Sequence, residues 1–313
     1  NFQNIPPKLS FENLFPQKKF SLEEAIGRLQ FTKHPMLFSE YQKAFRQAQK
    51  EINFGNSYLL NLTFPTLIET NWSLEEIFQH SQAKYKLYLK DQLVVFSPET
   101  FIQIQNNQIS SYPMKGTIDA SIPNARQQIL ADEKEKAEHH TIVDLIRNDL
   151  SQVSKNVRVE QFRYLEEIQT HEGKLLQVSS KIVGDLAPDY SSKIGDLLLT
   201  LLPAGSISGA PKRKTIEIIQ AAENYTRAYY TGVFGYFDGQ NLDSAVMIRF
   251  IENIKGQLYF KSGGGITSLS QAETEYHELI RKAYVPIAPT PRNDSGQEPP
   301  IAAHFLPQPT LQS

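Results

Sequence analysis

A primary amine, four carboxylates at matched spacing and an arginine closing an apolar strand are the groups in this chain that could work together chemically. The amine is Lys115, in Tyr112-Pro113-Met114-Lys115-Gly116-Thr117. An amine held among apolar neighbours loses part of its preference for the charged form, which frees a lone pair for nucleophilic attack. Taken alone, a loop lysine with its stem on apolar surface is the commoner case. The carboxylates are Glu135 and Glu138, and again Glu275 and Glu278. A spacing of three puts both members of each pair on one helix face. Two such faces brought together would offer an all-oxygen site to a hard divalent cation, Mg2+ above others. Glutamates at helical spacing more often form a solvated face, so the pattern needs company. With no Cys and few His, zinc is a poor competitor.

Two glycine-rich runs supply that company. Gly205-Ser206-Ile207-Ser208-Gly209-Ala210-Pro211-Lys212 leads towards a helix, and Gly263-Gly264-Gly265 is expected just after a strand. Both could turn backbone N–H groups towards an anion. Neither has the spacing of a Walker loop. Arg249 ends the apolar run Ala245 to Ile248, where a bidentate carboxylate clamp is useful and an unpaired charge is costly. One metal, two amide nests, an arginine and a lysine suit a small dicarboxylate, and a phosphate is also compatible with them.

The elements that must position these groups follow from pattern. Ser21 and Glu24 form a capping-box spacing, and an amphipathic helix is expected from Glu40 to Gly55. Short runs rich in aromatic and branched residues, Tyr58–Phe64, Tyr85–Leu89, Leu93–Phe96, Phe101–Gln105 and Ile109–Tyr112, predict antiparallel strands, with a turn at Asn106-Asn107. Helix is expected from Pro123 to about Leu150, strands at Val157–Phe162 and Leu175–Val183, and helices from Ser191 and from Pro211 at a first helical position. A hairpin is predicted between Tyr229–Phe237 and Leu242–Ile251, then a strand near Leu258–Lys261 and a helix from Gln271 to about Tyr284. Strands and helices without regular alternation indicate an α+β fold. Residues 1–285 are expected to form one catalytic domain. Seven of the 18 prolines fall beyond Val285, so 286–313 is expected to be a weakly ordered tail.

A net charge of -2 leaves no electrostatic footprint for nucleic acid or an anionic membrane. The absence of Cys excludes disulfides and thiol nucleophiles and fits a reducing compartment. No apolar run approaches bilayer length and no leader pattern opens the chain, so a soluble cytoplasmic protein is expected.

Together these segments resemble the chorismate-utilising enzymes, the family of anthranilate synthase component I, isochorismate synthase, salicylate synthase and aminodeoxychorismate synthase component I. The resemblance runs from about Gly55 to Tyr284. It rests on Ser97-Pro98-Glu99, Pro113 to Thr117, Ala137-Glu138, Val143 to Leu150, Gly205 to Lys212, Tyr230-Thr231-Gly232, Ile248-Arg249, Gly263 to Gly265 and Glu275 to Glu278. It implies large, mostly antiparallel sheets packed as a sandwich with helices outside. It also implies roles: Glu138 and Glu278 bind Mg2+ directly, Glu135 and Glu275 support it through water, and Gly116 and Thr117 contact the ring carboxylate of chorismate. Tyr230, Arg249, Gly263 and Gly265 would cradle the enolpyruvyl carboxylate, with Ser206 and Lys282 as further contacts. Glu99 would be the acid that protonates the departing C4 hydroxyl, and Val143 to Leu150 would serve packing.

Within that family the position of Lys115 is alanine in the anthranilate, isochorismate and salicylate enzymes, and lysine in the aminodeoxychorismate type, where it bonds the ring. Leu59 stands where the hydroxylating enzymes have a water-activating lysine. Leu176 stands where many members have a histidine linked to pyruvate elimination; His171, five residues earlier, is an alternative position for it. The resemblance therefore implies amination of chorismate at C4 with ammonia, in para-aminobenzoate and folate biosynthesis. Anthranilate synthase component I and a noncatalytic chorismate-binding protein are the competing readings. Ammonia would come from a separate glutamine amidotransferase subunit, since no Cys nucleophile exists here.

Overall fold

A computed structural model describes residues 29–170 and 173–287. The chain first builds β1 (Phe31–His34), β2 (Leu59–Thr70), β3 (Tyr85–Leu89) and β4 (Leu93–Ser97). It then crosses to a second sheet with β5 (Thr100–Gln105), β6 (Gln108–Ser111), β7 (Met114–Asp119), β8 (Lys155–Thr170) and β9 (Gly173–Asp185). A short β10 (Gly209–Ala210) adds to β2; β11 (Val233–Phe237) and β12 (Leu242–Val246) join the second sheet, and β13 (Phe250–Ile254) and β14 (Gln257–Ile266) return to the first. The first sheet runs β1-β2-β14-β13-β4-β3 and the second β11-β12-β5-β6-β9-β7, with β8 also on β9. The strand pairs are antiparallel, as short hairpin connections allow. Asn106 and Asn107 both take positive φ at the β5–β6 turn, the conformation that Asn tolerates and a tight hairpin needs.

The helices are α1 (Phe38–Asn53), α2 (Leu74–His80), α3 (Ala125–Ala131), α4 (Glu133–Ser151), α5 (Ile194–Leu201), the single-turn α6 (Gly205–Ser208), α7 (Lys212–Ala222) and α8 (Ala272–Arg281). Helix α1 buries Tyr41, Ala44, Phe45, Ala48 and Ile52, one stripe at helical period. That stripe packs with residues of α7 and α8 on Leu60, Leu62, Phe64 and Ile266 of the first sheet. Ile142, Val143, Ile146 and Leu150 of α4 pack on Ile102, Ile104, Ile109 and Ile182 of the second. The sheets meet where Leu93, Val95 and Phe250 touch Met247 and Phe234. This is the α+β arrangement of two antiparallel sheets with packed helices.

The feature that makes a site is the double crossing between sheets. Ser97 ends β4 and Thr100 begins β5, so Glu99 lies on the passage; Val246 ends β12 and Phe250 begins β13, so Arg249 lies on the return. The passages are tied together: Val246 N–H donates to Glu99 O and Phe96 N–H to Arg249 O, each at 3.1 Å. Arg249 holds φ at 53°, a left-handed conformation that non-glycine residues adopt only when their surroundings enforce it.

Several expectations change. The predicted hairpin turns at the expected place, but its arms shorten because 229–232 and 247–249 serve the crossing rather than the ladder. Gly263 to Gly265 lie inside β14, opposite Thr63, Leu62 and Asn61, and not in a loop after it. A Cβ at Gly263 would meet Leu62 O at 2.4 Å, so close backbone approach is what demands glycine there. Pro211 precedes α7 as its cap, and Lys212 is the first helical residue. Helix α2 was not expected; its capping box is Ser73 with Glu76. The box at Ser21 and Glu24 lies outside the described residues. Pro286 and Ile287 pair with Gln82 and Ser81, so the expected tail begins in contact with the connection between α2 and β3; 288–313 lie outside the described residues.

Candidate active site

Lys115 is lifted out of a strand ladder. Met114 pairs with Ser179 and Thr117 with Gln177, three steps along β7 against two along β9, so Lys115 and Gly116 form a bulge. Gly116 has φ +83°, which a side chain would resist. The bulge aims Lys115 Nζ at Glu138 Oε2, 2.7 Å away on α4. Burial by itself would lower the Lys115 pKa, but Glu138, then Glu135 and Glu278, outweigh it and hold the ammonium above its ordinary value. The expected loss of charge through apolar surroundings is therefore corrected: carboxylates from two helices surround this amine and keep it charged.

Helix α8 provides the opposite wall. Lys282 Nζ lies 2.5 Å from Glu278 Oε1 and donates to Gly263 O at 3.0 Å. Burial works against ionised Glu278, yet Lys282 and Lys115 hold its pKa below the usual carboxylate range. Each glutamate pair has a member resting on glycine. A Cβ at Gly116 would meet Glu135 Oε2 at 3.2 Å; one at Gly264 would meet Glu275 Oε2 at 3.3 Å and Glu278 Oε1 at 3.6 Å. Glycine at these two strand positions is what lets carboxylates lie against the sheet.

Glu99 closes the third side. Its pKa is raised by burial, against the Ser206 hydrogen bond and the charges of Arg249 and Lys282, which pull the other way. Ser206 Oγ donates to Glu99 Oε1 at 2.6 Å and so holds that carboxyl. Tyr230 is buried and feels the charge of Arg249. Leu59 lines the same wall, its Cδ1 lying 3.1 Å from where a Gly265 Cβ would stand. Thr117 pairs with Gln177 through its backbone, its side chain lying outside what is described; His171 also lies outside. Leu176 is buried on β9, opposite Ile118.

The structure thus gathers Lys115, Glu135, Glu138, Glu278, Lys282, Glu99, Ser206 and Arg249 into one electrostatic neighbourhood. Among the described residues no three of the carboxylates stand together as a ready-made metal cluster. Like charges spread apart, and each of Glu138 and Glu278 takes an ammonium instead. The donor set, all carboxylate oxygen carried by α4 and α8, fits a hard divalent cation and not zinc. Residues 17–288 match the family model described as chorismate binding enzyme.

The chain belongs to the chorismate-binding enzyme family. It is 55% identical over 279 residues to an uncharacterized PabA-like protein of Pasteurella multocida, covering 89% of this chain and 83% of that one. It is 34% identical over 259 residues to aminodeoxychorismate synthase component 1 of Salmonella typhimurium, covering 78% of this chain and 56% of that one. The crystal structure of anthranilate synthase component I from Streptococcus pneumoniae superimposes with a TM-score of 0.70 at 27% identity, covering 82% of this chain and 59% of that one. This chain therefore spans somewhat over half the length of those two synthases.

Sequence patterns did not reveal the supports of the site. Glu223 and Arg227 form a buried pair at 2.6 Å; Arg227 also donates to Asn61 O, and Glu223 accepts from the Thr63 backbone and hydroxyl. Their spacing of four was the available signal. Asp149 Oδ2 holds Lys212 at 2.8 Å, joining α4 to α7, as the packing role expected of Val143 to Leu150 would have it.

Proposed function

We propose that this protein aminates chorismate at C4 with ammonia, giving 4-amino-4-deoxychorismate for para-aminobenzoate and folate biosynthesis. The observation that carries the proposal is a lysine amine bound to Glu138 in the same site as a buried, serine-anchored Glu99. Lys115 first passes a proton to a neighbouring carboxylate. Its nitrogen then bonds C2 of chorismate as both ring double bonds shift, C1=C2 to C1=C6 and C5=C6 to C4=C5, and the C4–O bond breaks, the hydroxyl leaving as water with the proton of Glu99. Ammonia next bonds C4 while the two ring double bonds shift back to C5=C6 and C1=C2, and the C2–N bond breaks and returns its electron pair to Lys115. The extra proton on the new C4 ammonium goes back to Glu99. Arg249 and Lys282, both close enough to act on Glu99, would hold substrate carboxylate. Glu138 and Glu278, with Glu135 and Glu275 behind them, would hold Mg2+, which supplies positive charge to these carboxylates and to the ring carboxylate of the substrate.

Apolar Leu59 offers no base for water, which favours amination over hydroxylation. Buried Leu176 offers no proton transfer for pyruvate loss, which favours stopping at the amino product over anthranilate. A separate glutamine amidotransferase would supply ammonia. The test is product identification by mass after incubation with chorismate, ammonium and Mg2+, with and without a downstream lyase. Fluorescent anthranilate as the product would replace this proposal, and no chorismate consumption would reduce the protein to a binding role. Full ammonia-dependent turnover by Lys115→Ala would eliminate the covalent route.

A further inference from the structure

Two polar residues outside the reacting set connect Lys115 to Glu138 by a second path. His139 directly follows Glu138 on α4 and is 1% exposed. Its Nε2 lies 2.7 Å from Ser180 Oγ on β9. Ser180 is fully buried, accepts the Arg163 N–H at 3.0 Å, and donates its own N–H to Pro113 O at 3.0 Å. Pro113 lies two residues before Lys115, immediately ahead of the bulge that releases the lysine from the ladder. The backbone of the lysine segment and the helix that carries its carboxylate are therefore both fastened to one serine.

The histidine is an expensive way to fill this space. Its Nδ1 is buried without a hydrogen-bond partner, a desolvation cost that an apolar ring would not carry. Its edge contact with Phe162, at 5.8 Å between ring centres, would serve a phenylalanine equally well. Packing alone does not call for this residue.

We propose that His139 and Ser180 are positioning residues, a brace across α4 and β9 that fixes the separation of the Lys115 amine from the Glu138 carboxylate. Neither residue touches the reacting atoms. The Lys115–Glu138 ion pair also joins the bulge to the helix, but it must open when Lys115 reacts. The brace keeps the amine in register at that moment. Its catalytic meaning rests on the proposed role of Lys115.

The experiment compares His139→Phe, Ser180→Ala and His139→Gln, whose amide can reach Ser180, with the parent chain. Reductive methylation of the folded proteins, followed by mass analysis of the Lys115 peptide, reads the hold on the amine without any substrate. The expected result is faster labelling of Lys115 in His139→Phe and Ser180→Ala and a parental rate in His139→Gln. With chorismate, ammonium and Mg2+, the first two should lose roughly ten- to a hundredfold in kcat with little change in KM, as misplacement of a reacting group produces. His139→Gln should recover most of that. Parental labelling in folded Ser180→Ala, or a loss in His139→Gln equal to that in His139→Phe, overturns the brace. Should the parent form no aminodeoxychorismate, the labelling comparison still decides the positioning claim.

Discussion

Ser206 donates its hydroxyl to Oε1 of Glu99 at 2.6 Å, so the proton of a neutral Glu99 carboxyl is left on Oε2. Burial raises the Glu99 pKa and the serine moderates that rise. Ser206→Ala removes the moderating hydrogen bond, so the Glu99 pKa should climb further and the carboxyl should lose its orientation. The expected outcome is a lower kcat and an upward displacement of the limb of the pH–rate profile that reports Glu99. Glu99→Gln should cost more, about 10²- to 10⁴-fold, because the proposed acid itself is gone. An unshifted profile in Ser206→Ala would separate the serine from the acid.

The same burial makes Glu99 a stability element with a definite sign. Its folded pKa is above the unfolded value, so below the ordinary carboxylate range both states carry the proton and nothing is lost. As pH rises beyond that range the unfolded chain ionises while the folded one keeps its proton, and stability falls until the folded pKa is passed. Each unit of elevation corresponds to about 1.4 kcal/mol. Glu99→Gln should therefore raise the melting temperature at neutral pH, with the gain vanishing on acidification. Thermal unfolding of both proteins across pH checks this, and a gain that persists in acid would point to another cause.

Gly264 tests the glycine floor under the α8 carboxylates. Its φ lies outside the left-handed region, so Gly264→Ala carries no backbone strain. The new methyl would sit 3.3 Å from Glu275 Oε2 and 3.6 Å from Glu278 Oε1. The fold should survive while the carboxylates shift. At the proposed Mg2+ site, the cation concentration for half-maximal activity should rise by roughly tenfold or more, the scale seen when the support of a metal ligand is disturbed. Titrating activity with Mg2+ measures it directly; an unchanged requirement would remove Glu275 and Glu278 from the metal site.

How much of this site could be read from the sequence depends on how local each cause is. The glutamate pairs were legible because a spacing of three fixes a helix face. Asn106-Asn107 was legible because the turn is decided by the two residues themselves. The charge of Lys115 was not, since it is set by Glu138, Glu135 and Glu278 arriving on two distant helices. Nor were the sheet crossings at Glu99 and Arg249, because an apolar run continues through Met247 and Ile248 while the chain changes partner strands. The glycine run misled for a related reason: without side chains it carries no strand pattern, although its pairing with β2 is continuous.

The buried pair beneath the Tyr230 wall gives the strongest stability prediction. Glu223 is almost wholly buried, accepts from Thr63 N–H and Oγ1, and binds Arg227 through both carboxylate oxygens. Arg227 in turn donates to Asn61 O and Thr231 Oγ1, so the pair ties β2 to the segment before β11. Glu223→Gln leaves the guanidinium buried without its counter-charge, which costs about 3–5 kcal/mol when one partner of such a pair is removed. Combining Glu223→Gln with Arg227→Met removes the stranded charge and should recover part of that loss. Denaturant unfolding of the two single variants and the double variant forms the cycle. A double variant as unstable as the sum of the singles would show that Glu223 and Arg227 act on the fold independently.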